Sequence, residues 1–337
     1  MDWNFILFSV IKIVCVIFLA VLPMVAYSVL AERRISAWIQ DRVGPNRVGP
    51  FGLAQPVSDI LKLFIKEDFT PATVRKAYFW LAPAVTLIPA FLTVAVIPFG
   101  SNLGHQKMVI ADLNVGILYT FGIVSLGVYG IVLAGYAANS KYPFLGGIRS
   151  SAQMISYEIA MGMSVIPAFM LVGDLNLSRV IQYQAAHGWL VFSAPVSFFI
   201  FLIAAFAETN RLPFDLPESE QELVGGYHTE YSSMKFALFF LSEYANMIAS
   251  SAMMVTLFFG GWTLPGLREP AGSLPAGLLH IGIFLGKLLF FMVVFIWVRW
   301  MLPRFRYDQL MDLGWRRFIP LALANILVTA LWLWMKS

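Results

Sequence analysis

The chain has 337 residues, of which 59% are hydrophobic and 12% are charged, with a formal net charge of +4. Soluble domains carry about 25% charged residues, so this composition excludes an ordinary globular enzyme and indicates a protein whose surface faces lipid. The one cysteine, Cys15, cannot form an internal disulfide and leaves no CxxC pair for iron–sulfur or zinc ligation.

Apolar stretches of roughly 20 residues can cross the hydrocarbon core of a bilayer. The sequence therefore predicts an all-α integral membrane protein, a single polytopic domain over 1–337 with eight transmembrane helices. The spans are expected at about 5–30, 78–99, 113–138, 151–172, 189–207, 234–260, 277–299 and 317–335. Cytoplasmic loops are expected at 31–77, 139–150, 208–233 and 300–316. Prolines within the spans predict kinks: Pro83, Pro89, Pro167 and Pro195.

The positions of lysine and arginine predict the orientation of the chain. Seventeen of the 23 basic residues lie in or beside the loops after spans one, three, five and seven, and four lie on the opposite side. Because loops rich in lysine and arginine stay in the cytoplasm, both termini are expected on the periplasmic side of a bacterial inner (plasma) membrane.

The first loop contains an amphipathic helix of its own. Between 53 and 65 the apolar residues follow helical spacing and cover one face: Leu53, Val57, Ile60, Leu61, Phe64 and Ile65. Asp59, Lys62 and Lys66 lie on the opposite face. Such a helix is expected to lie in the membrane interface or to pack beneath a partner.

Two carboxyl groups lie within predicted spans. Glu158 and Glu243 each follow the cytoplasmic start of a span by about eight residues. At 1.5 Å of rise per residue, both are expected roughly 12 Å inside the membrane. Because a buried charge is expensive and marks function more often than not, they indicate either a proton relay or a structural ion pair. Lys287, near the middle of span seven, is a weaker candidate partner.

The loop after span five is acidic on an otherwise basic side of the membrane. It carries six acidic residues and one arginine: Glu208, Asp215, Glu218, Glu220, Glu222 and Glu230 with Arg211. Clustered carboxylates repel one another, so some hold protons near neutral pH and titrate as a group. Apolar residues between them favour a half-buried proton path over a solvated acidic loop.

Basic residues cluster where span one leaves the membrane, at Arg33, Arg34 and Arg42 beside Glu32. A second group surrounds Pro303 and includes Arg299. Taken alone, both groups are explained by ordinary anchoring of cytoplasmic loops. No nucleotide-binding loop, nucleophile elbow or paired histidines occur, so the chain is expected to hold no metal, flavin or haem, no catalytic residue of its own and no nucleic acid.

Three long motifs resemble one known family. They are Ala-Glu-Arg-Arg at 31–34 with Gln-Asp-Arg-Val-Gly-Pro-Asn at 40–46, the stretch 208–244, and Trp-Val-Arg-Trp-Met-Leu-Pro-Arg-Phe-Arg-Tyr-Asp-Gln-Leu at 297–310. The family is the NADH dehydrogenase subunit 1 family, one of the membrane components of proton-translocating NADH:quinone oxidoreductase, respiratory complex I. The chain departs from the family pattern at Ser232-Ser233, where Ser-Gly is more usual.

The resemblance implies a membrane component that helps form the quinone tunnel at the junction with the peripheral arm. It implies quinone as substrate, redox centres in other chains, and neighbouring complex I subunits as partners within the bilayer. The residues implied for the tunnel are Glu32, Arg33, Arg34, Arg42, Asp59, Lys62 and Arg299. Those implied for the proton path are Glu158, Glu208, Arg211, Asp215, Glu218, Glu220, Glu222, Glu230 and Glu243.

Three alternatives remain open from the sequence. A homologous subunit of a membrane-bound hydrogenase or of a ferredoxin-linked dehydrogenase would be distinguished by its partner chains. A stand-alone proton-coupled transporter would be stable and active when expressed by itself. A purely structural anchor is disfavoured by the carboxyl groups inside the spans.

Overall fold

The computed structural model describes residues 3–103, 106–216, 224–265 and 274–336, and its regular structure is almost entirely helical. Seven helices in these ranges are long and apolar enough to cross a membrane: Leu7–Ile39, Lys76–Val94, Gly116–Ala137, Lys141–Val172, Ser233–Phe258, Pro275–Met301 and Tyr307–Lys336. The prediction of an all-α integral membrane protein is confirmed. The exact count of eight spans stays a prediction.

Six α-helices lie in the described residues of the N-terminal half. They are α1 (Trp3–Val14), α2 (Leu22–Ile39), α3 (Gln55–Ile65), α4 (Lys76–Val94), α5 (Gly116–Ala137) and α6 (Lys141–Val172). A π-helical stretch, Cys15–Val21, joins α1 to α2. Two short antiparallel strands, β1 (Asn102–Leu103) and β2 (Gln106–Lys107), lie between α4 and α5.

The described part of the C-terminal half contains seven more. They are α7 (Leu177–His187), α8 (Leu190–Ser193), α9 (Pro195–Glu208), α10 (Ser233–Phe258), α11 (Leu274–Met301), α12 (Tyr307–Asp312) and α13 (Ile319–Lys336). A single 3-10 turn, Gly226–His228, precedes α10, and a π-helical stretch, Leu313–Phe318, joins α12 to α13.

Several helices differ from the predicted spans. The first span was predicted to end at 30, but its helix continues to Ile39. The fourth span was predicted to begin at 151, but α6 begins at Lys141. Both helices extend beyond their apolar runs into segments that carry charge. The predicted span 189–207 is divided into α8 and α9 at Pro195, whose missing N–H group is tolerated in the first turn of a helix. Helix α7 was not predicted as an element.

The core lies around α10. Two-thirds (67%) of its most apolar stretch is buried inside the molecule, against 11% for the C-terminal helix. Helix α5 packs between α4 and α6, α6 also packs against α9 and α13, and α10 contacts α2, α3, α4 and α11. The helix predicted in the first loop is present as α3, and Pro56 is its one buried residue.

Candidate functional site

A buried arginine joins two acidic residues from different helices. Arg211 follows the end of α9 by three residues and its side chain is only 3% exposed. Its Nη1 donates a hydrogen bond of 2.9 Å to Oε2 of Glu32 on α2, and its Nε lies 2.7 Å from Oε1 of Glu243 on α10. The contact with Glu243 is an ion pair rather than an aligned hydrogen bond. One guanidinium group therefore contacts two carboxylates in the protein interior.

Two further side chains complete this network. Nη1 of Arg299, near the end of α11, donates to Oε1 of Glu32. The hydroxyl of Tyr244 donates a hydrogen bond of 2.7 Å to Oε2 of Glu32, and the Tyr244 ring lies 4.2 Å from the guanidinium carbon of Arg211. We call Glu32, Arg211, Glu243, Tyr244 and Arg299 the buried charge network. Its two acids and two arginines balance in charge.

Local geometry explains how a loop residue is held so deeply. The N–H group of Arg211 donates to the carbonyl of Phe206, and its own carbonyl accepts from Phe214. Gln153 on α6 donates to the carbonyls of Ala207 and Phe214 at 2.7 and 2.9 Å, which fastens the chain on both sides of Arg211. Burial opposes charge on Arg211, but the carboxylates of Glu243 and Glu32 outweigh it and raise its pKa, so the guanidinium stays charged.

Asp215 forms a second ion pair beside the network. Its Oδ2 accepts a hydrogen bond of 3.1 Å from Nη2 of Arg304, and its side chain is 14% exposed. Burial raises the pKa of Asp215 above its ordinary value, although Arg304, Arg299 and Arg211 oppose the shift. Asp215 is thus a half-buried loop carboxyl group that takes up a proton more readily than a solvated one.

Glu208 ends α9 and faces a small cavity inside the helix bundle. The cavity has a volume of about 20 Å³, room for the centre of one water molecule. Its polar lining comes from Thr93, Thr120, Glu208, Asn246 and Ser250. Oε2 of Glu208 is buried and has no hydrogen-bond partner among the described residues. Glu158 on α6 lies close enough for the two carboxyl groups to repel each other.

The remaining tunnel candidates lie on or near the surface of this chain. Arg33 on α2 pairs with Asp59 on α3 at 2.8 Å, and both side chains are partly exposed. Nε of Arg42 donates to the side chain of its neighbour Gln40, and Lys62 is exposed. Arg34 is half-buried. Of the seven candidates, the structure brings Glu32 and Arg299 into the buried charge network.

The acidic loop is described only in part. Glu218, Glu220 and Glu222 lie outside the described residues. Glu230 is half-buried, and its carboxylate makes no ion pair within the described ranges. The common depth expected of Glu158 and Glu243 stays a prediction, since α6 begins ten residues before the expected start of its span.

Lys287 is not a partner of either glutamate. Its Nζ donates to the carbonyls of Phe259, Gly261 and Thr263 at 2.6, 3.0 and 2.6 Å. These carbonyls follow the last residue of α10, where helical hydrogen bonding ends. Lys287 therefore binds the turn that follows α10, and the suggested pairing with a carboxylate is wrong.

Gln153 and Tyr244 are site residues that sequence reasoning missed. Both are polar groups within apolar helices, whereas the site residues predicted inside the spans were all charged. Buried amides and phenols are an equally useful signal, because such groups need a hydrogen-bond partner in the membrane as charges do.

Comparison with known proteins agrees with this architecture. The family model for NADH dehydrogenase matches residues 11–330. A subunit of NADH-quinone oxidoreductase from Flavobacterium psychrophilum is 50% identical over 338 residues, covering 98% of both chains. The relatives of the same name from Geobacter metallireducens and Cytophaga hutchinsonii are 52% and 49% identical, each covering 94% of both chains. The chain therefore belongs to the NADH dehydrogenase family, together with these subunits of NADH-quinone oxidoreductase.

Proposed function

We propose that this chain is a membrane subunit of respiratory complex I in the bacterial inner membrane. It helps form the quinone tunnel at the junction with the peripheral arm and couples quinone reduction to proton translocation through buried carboxylates. The names of relatives about 50% identical favour NADH:quinone oxidoreductase over the related hydrogenases and ferredoxin-linked dehydrogenases. The partners are the quinone-site subunits of the peripheral arm and neighbouring membrane subunits.

One observation carries the proposal: the buried charge network joins candidates for the tunnel to candidates for the proton path. Glu32 and Arg299 come from the tunnel group, whereas Arg211 and Glu243 come from the proton group. Arg211 contacts one carboxylate of each group through a single guanidinium. A change of charge on the tunnel side is therefore felt directly on the proton side.

The electrostatic effect of a charge change at Glu32 is large enough to couple quinone reduction to the protonation of other carboxyl groups. Two unit charges about 4 Å apart interact by about 4 kcal/mol at an effective dielectric constant of 20. Reduction of a quinone requires two electrons and two protons, so the charge beside Glu32 changes whenever electrons arrive ahead of protons or a proton is taken from a neighbouring group. When Glu32 loses charge, Arg211 interacts more strongly with Glu243, and the next proton goes to a different carboxyl group.

Glu208 is the carboxyl group through which a proton could pass from the network into the membrane-embedded helices. It lies three residues before Arg211 in the chain, and its carboxyl group faces the small polar cavity. The hydroxyl protons of Thr93 and Thr120 are used within their own helices, which leaves their oxygens free to accept hydrogen bonds from water. We infer that one water molecule in the cavity passes protons to and from Glu208.

The proposal is tested with Glu208→Gln in the assembled complex, in inverted membrane vesicles supplied with NADH and a short-chain quinone. Glutamine keeps the size and polarity of the side chain but holds no exchangeable acid proton. We expect quinone reduction and proton pumping both to fall by about tenfold or more, as for the loss of a positioned proton donor. Glu67→Gln, which alters an exposed carboxylate in the first loop, is the matched control. Parental rates of reduction and pumping in Glu208→Gln would refute the proton path.

A further inference from the structure

The first residue of α10 holds the end of the loop helix α3. The hydroxyl of Ser233 lies 3.0 Å from the carbonyl oxygens of both Leu63 and Lys66, and its one proton is shared between them. These carbonyls lie at the C-terminal end of α3, where they have no partner within the helix. Ser233 therefore supplies, from a different helix, a hydrogen bond that the end of α3 lacks.

Lys235 fixes the segment that follows α3. Its side chain is buried, and Nζ lies 3.0 Å from Oδ2 of Asp68 and donates a hydrogen bond of 2.8 Å to the hydroxyl of Thr70. The same ammonium group lies 4.0 Å from the centre of the Trp80 ring on α4. A buried ammonium needs such partners, so Lys235 keeps the 66–70 segment against α10 and α4 together.

The backbone of Ser233 shows that this contact is constrained. Its φ angle is +52°, a conformation that residues with a side chain seldom adopt. Such a conformation persists where surrounding contacts hold it. At Ser233 those contacts are the two carbonyls of the α3 end.

Helix α3 packs against α2 and α10 with little burial. Ten of its eleven residues are not buried, and its ion pair with α2, between Asp59 and Arg33, is partly exposed to solvent. Partly exposed ion pairs contribute little to position. Within the described ranges, Ser233 and Lys235 therefore supply the buried polar contacts at the C-terminal end of α3 and the segment after it.

We propose that Ser233 and Lys235 form a clamp that positions α3, and with it Asp59 and Lys62, for quinone binding. The inference rests on the proposed function, because Asp59 and Lys62 are candidates for the quinone tunnel. Both clamp residues are positioning residues, since neither side chain belongs to the candidate tunnel. A loosened α3 leaves a smaller fraction of the protein competent to bind quinone, and the apparent affinity falls by that fraction.

The first experiment separates the hydroxyl from the strained backbone. Ser233→Ala removes the shared hydrogen bond and keeps the strain, whereas Ser233→Gly removes both. In the assembled complex we expect both variants to raise the KM for a short-chain quinone by up to about tenfold, as the loss of one shared hydrogen bond implies, with kcat changed less than twofold. Ser232→Ala is the matched control, because the Ser232 hydroxyl makes no hydrogen bond within the described ranges and its KM should equal the parental value.

The second experiment changes the ammonium group of Lys235. Lys235→Met keeps the length of the side chain and removes the charge, and we expect the same rise in KM. Lys235→Arg keeps a cation able to pair with Asp68 and to stack on Trp80, and it should restore the KM to within about twofold. A general loss of folding would lower kcat and the yield of complex in both variants alike.

Amide hydrogen exchange of the purified complex gives a readout that does not depend on quinone. Peptides covering 55–70 should exchange faster in Ser233→Ala and Lys235→Met than in Ser232→Ala. Unchanged exchange and unchanged KM would overturn the clamp. Faster exchange with an unchanged KM would also overturn it, because α3 would then be loosened without consequence for quinone. Failure of Glu208→Gln to affect pumping leaves these results untouched, so the two proposals fail separately.

Discussion

Arg211 shows how much of the site depends on a single residue. It is shared between Glu32 and Glu243, and its removal would leave two carboxylates buried with one remaining arginine. Removal of one partner of a buried ion pair costs about 3–5 kcal/mol, because the remaining charge stays desolvated. The network is therefore stable only while its charges balance. This is the property that makes it responsive to an added proton.

His228 gives a prediction for pH. Its ring packs against Tyr227, Phe236 and Phe240, and burial lowers its pKa to about 4 from the usual 6.5. Between pH 6.5 and about 4 the unfolded loop binds a proton that the folded loop excludes. The stability that neutral His228 contributes is therefore fully present above pH 6.5 and is lost as the pH falls through about 4. We expect the protection factors of amides in 224–232, which correct exchange rates for their intrinsic pH dependence, to fall over this range in the parental complex. His228→Phe should flatten the profile, and an unchanged acid dependence in that variant would contradict the assignment.

Sequence reasoning selected most residues of the network without predicting that they meet. Glu32, Arg211, Glu243 and Arg299 were all chosen, from charge in a span or from resemblance. Helical periodicity relates residues three or four positions apart, whereas Glu32 and Arg211 are separated by 179 positions. The pairing is a property of helix packing. For the same reason Lys287, chosen as a charge in a span, was assigned to the wrong kind of partner.

At the level of helices, α4 and α5 meet at Gly130. A Cβ atom at this position would lie 2.2 Å from Oγ1 of Thr86 and 2.7 Å from its backbone nitrogen. The carbonyl of Thr86 in turn accepts a hydrogen bond of 2.9 Å from Ser242, one residue before Glu243 on α10. A displacement at Gly130 is thereby transmitted to the helix that carries part of the network.

Gly130→Ala is expected to destabilise the protein by about 1–3 kcal/mol, because the backbone of α4 must move to admit the methyl group. Gly127→Ala in the same helix is the matched control: no atom lies within 4 Å of its Cβ position, and alanine favours a helix over glycine by up to about 1 kcal/mol. The measurement is the thermal inactivation midpoint of the complex in membranes. Equal midpoints for the two variants would show that the close approach of α4 and α5 has no energetic importance.

The helices also show what hydropathy predicts and what it leaves out. All the long apolar helices were located, and α3 was found from its amphipathic spacing. The errors lie at helix ends such as Lys141 and Ile39, because hydropathy detects the lipid-facing run whereas backbone hydrogen bonds continue through charged residues. Helix α7 was missed for a related reason: its mean composition is polar, although Val180 and Ile181 are fully buried.

For the molecule as a whole, the asymmetry of basic residues predicts orientation. Seventeen lysines and arginines against four predict that both termini face the periplasm. Alkaline phosphatase fused to the C-terminus should be active, and green fluorescent protein at the same position should be dark. The same two reporters inserted at 138–140, between α5 and α6, should give the opposite results. An active phosphatase at 138–140 would invert the topology and place the network at the wrong face of the membrane for a peripheral arm on the cytoplasmic side.

The separation of Glu32 and Arg299 along the chain has a consequence for biogenesis. They are 267 residues apart, yet they contact each other in the finished protein. At about 5–20 residues per second of translation, roughly 15–50 s pass between the synthesis of Glu32 on α2 and the synthesis of Arg299. During that interval Glu32 lacks both arginines for much of the time, and the nascent chain depends on the insertion machinery or on a neighbouring chain to shelter it. A chain truncated before Arg299 would therefore hold Glu32 with one of its two arginines.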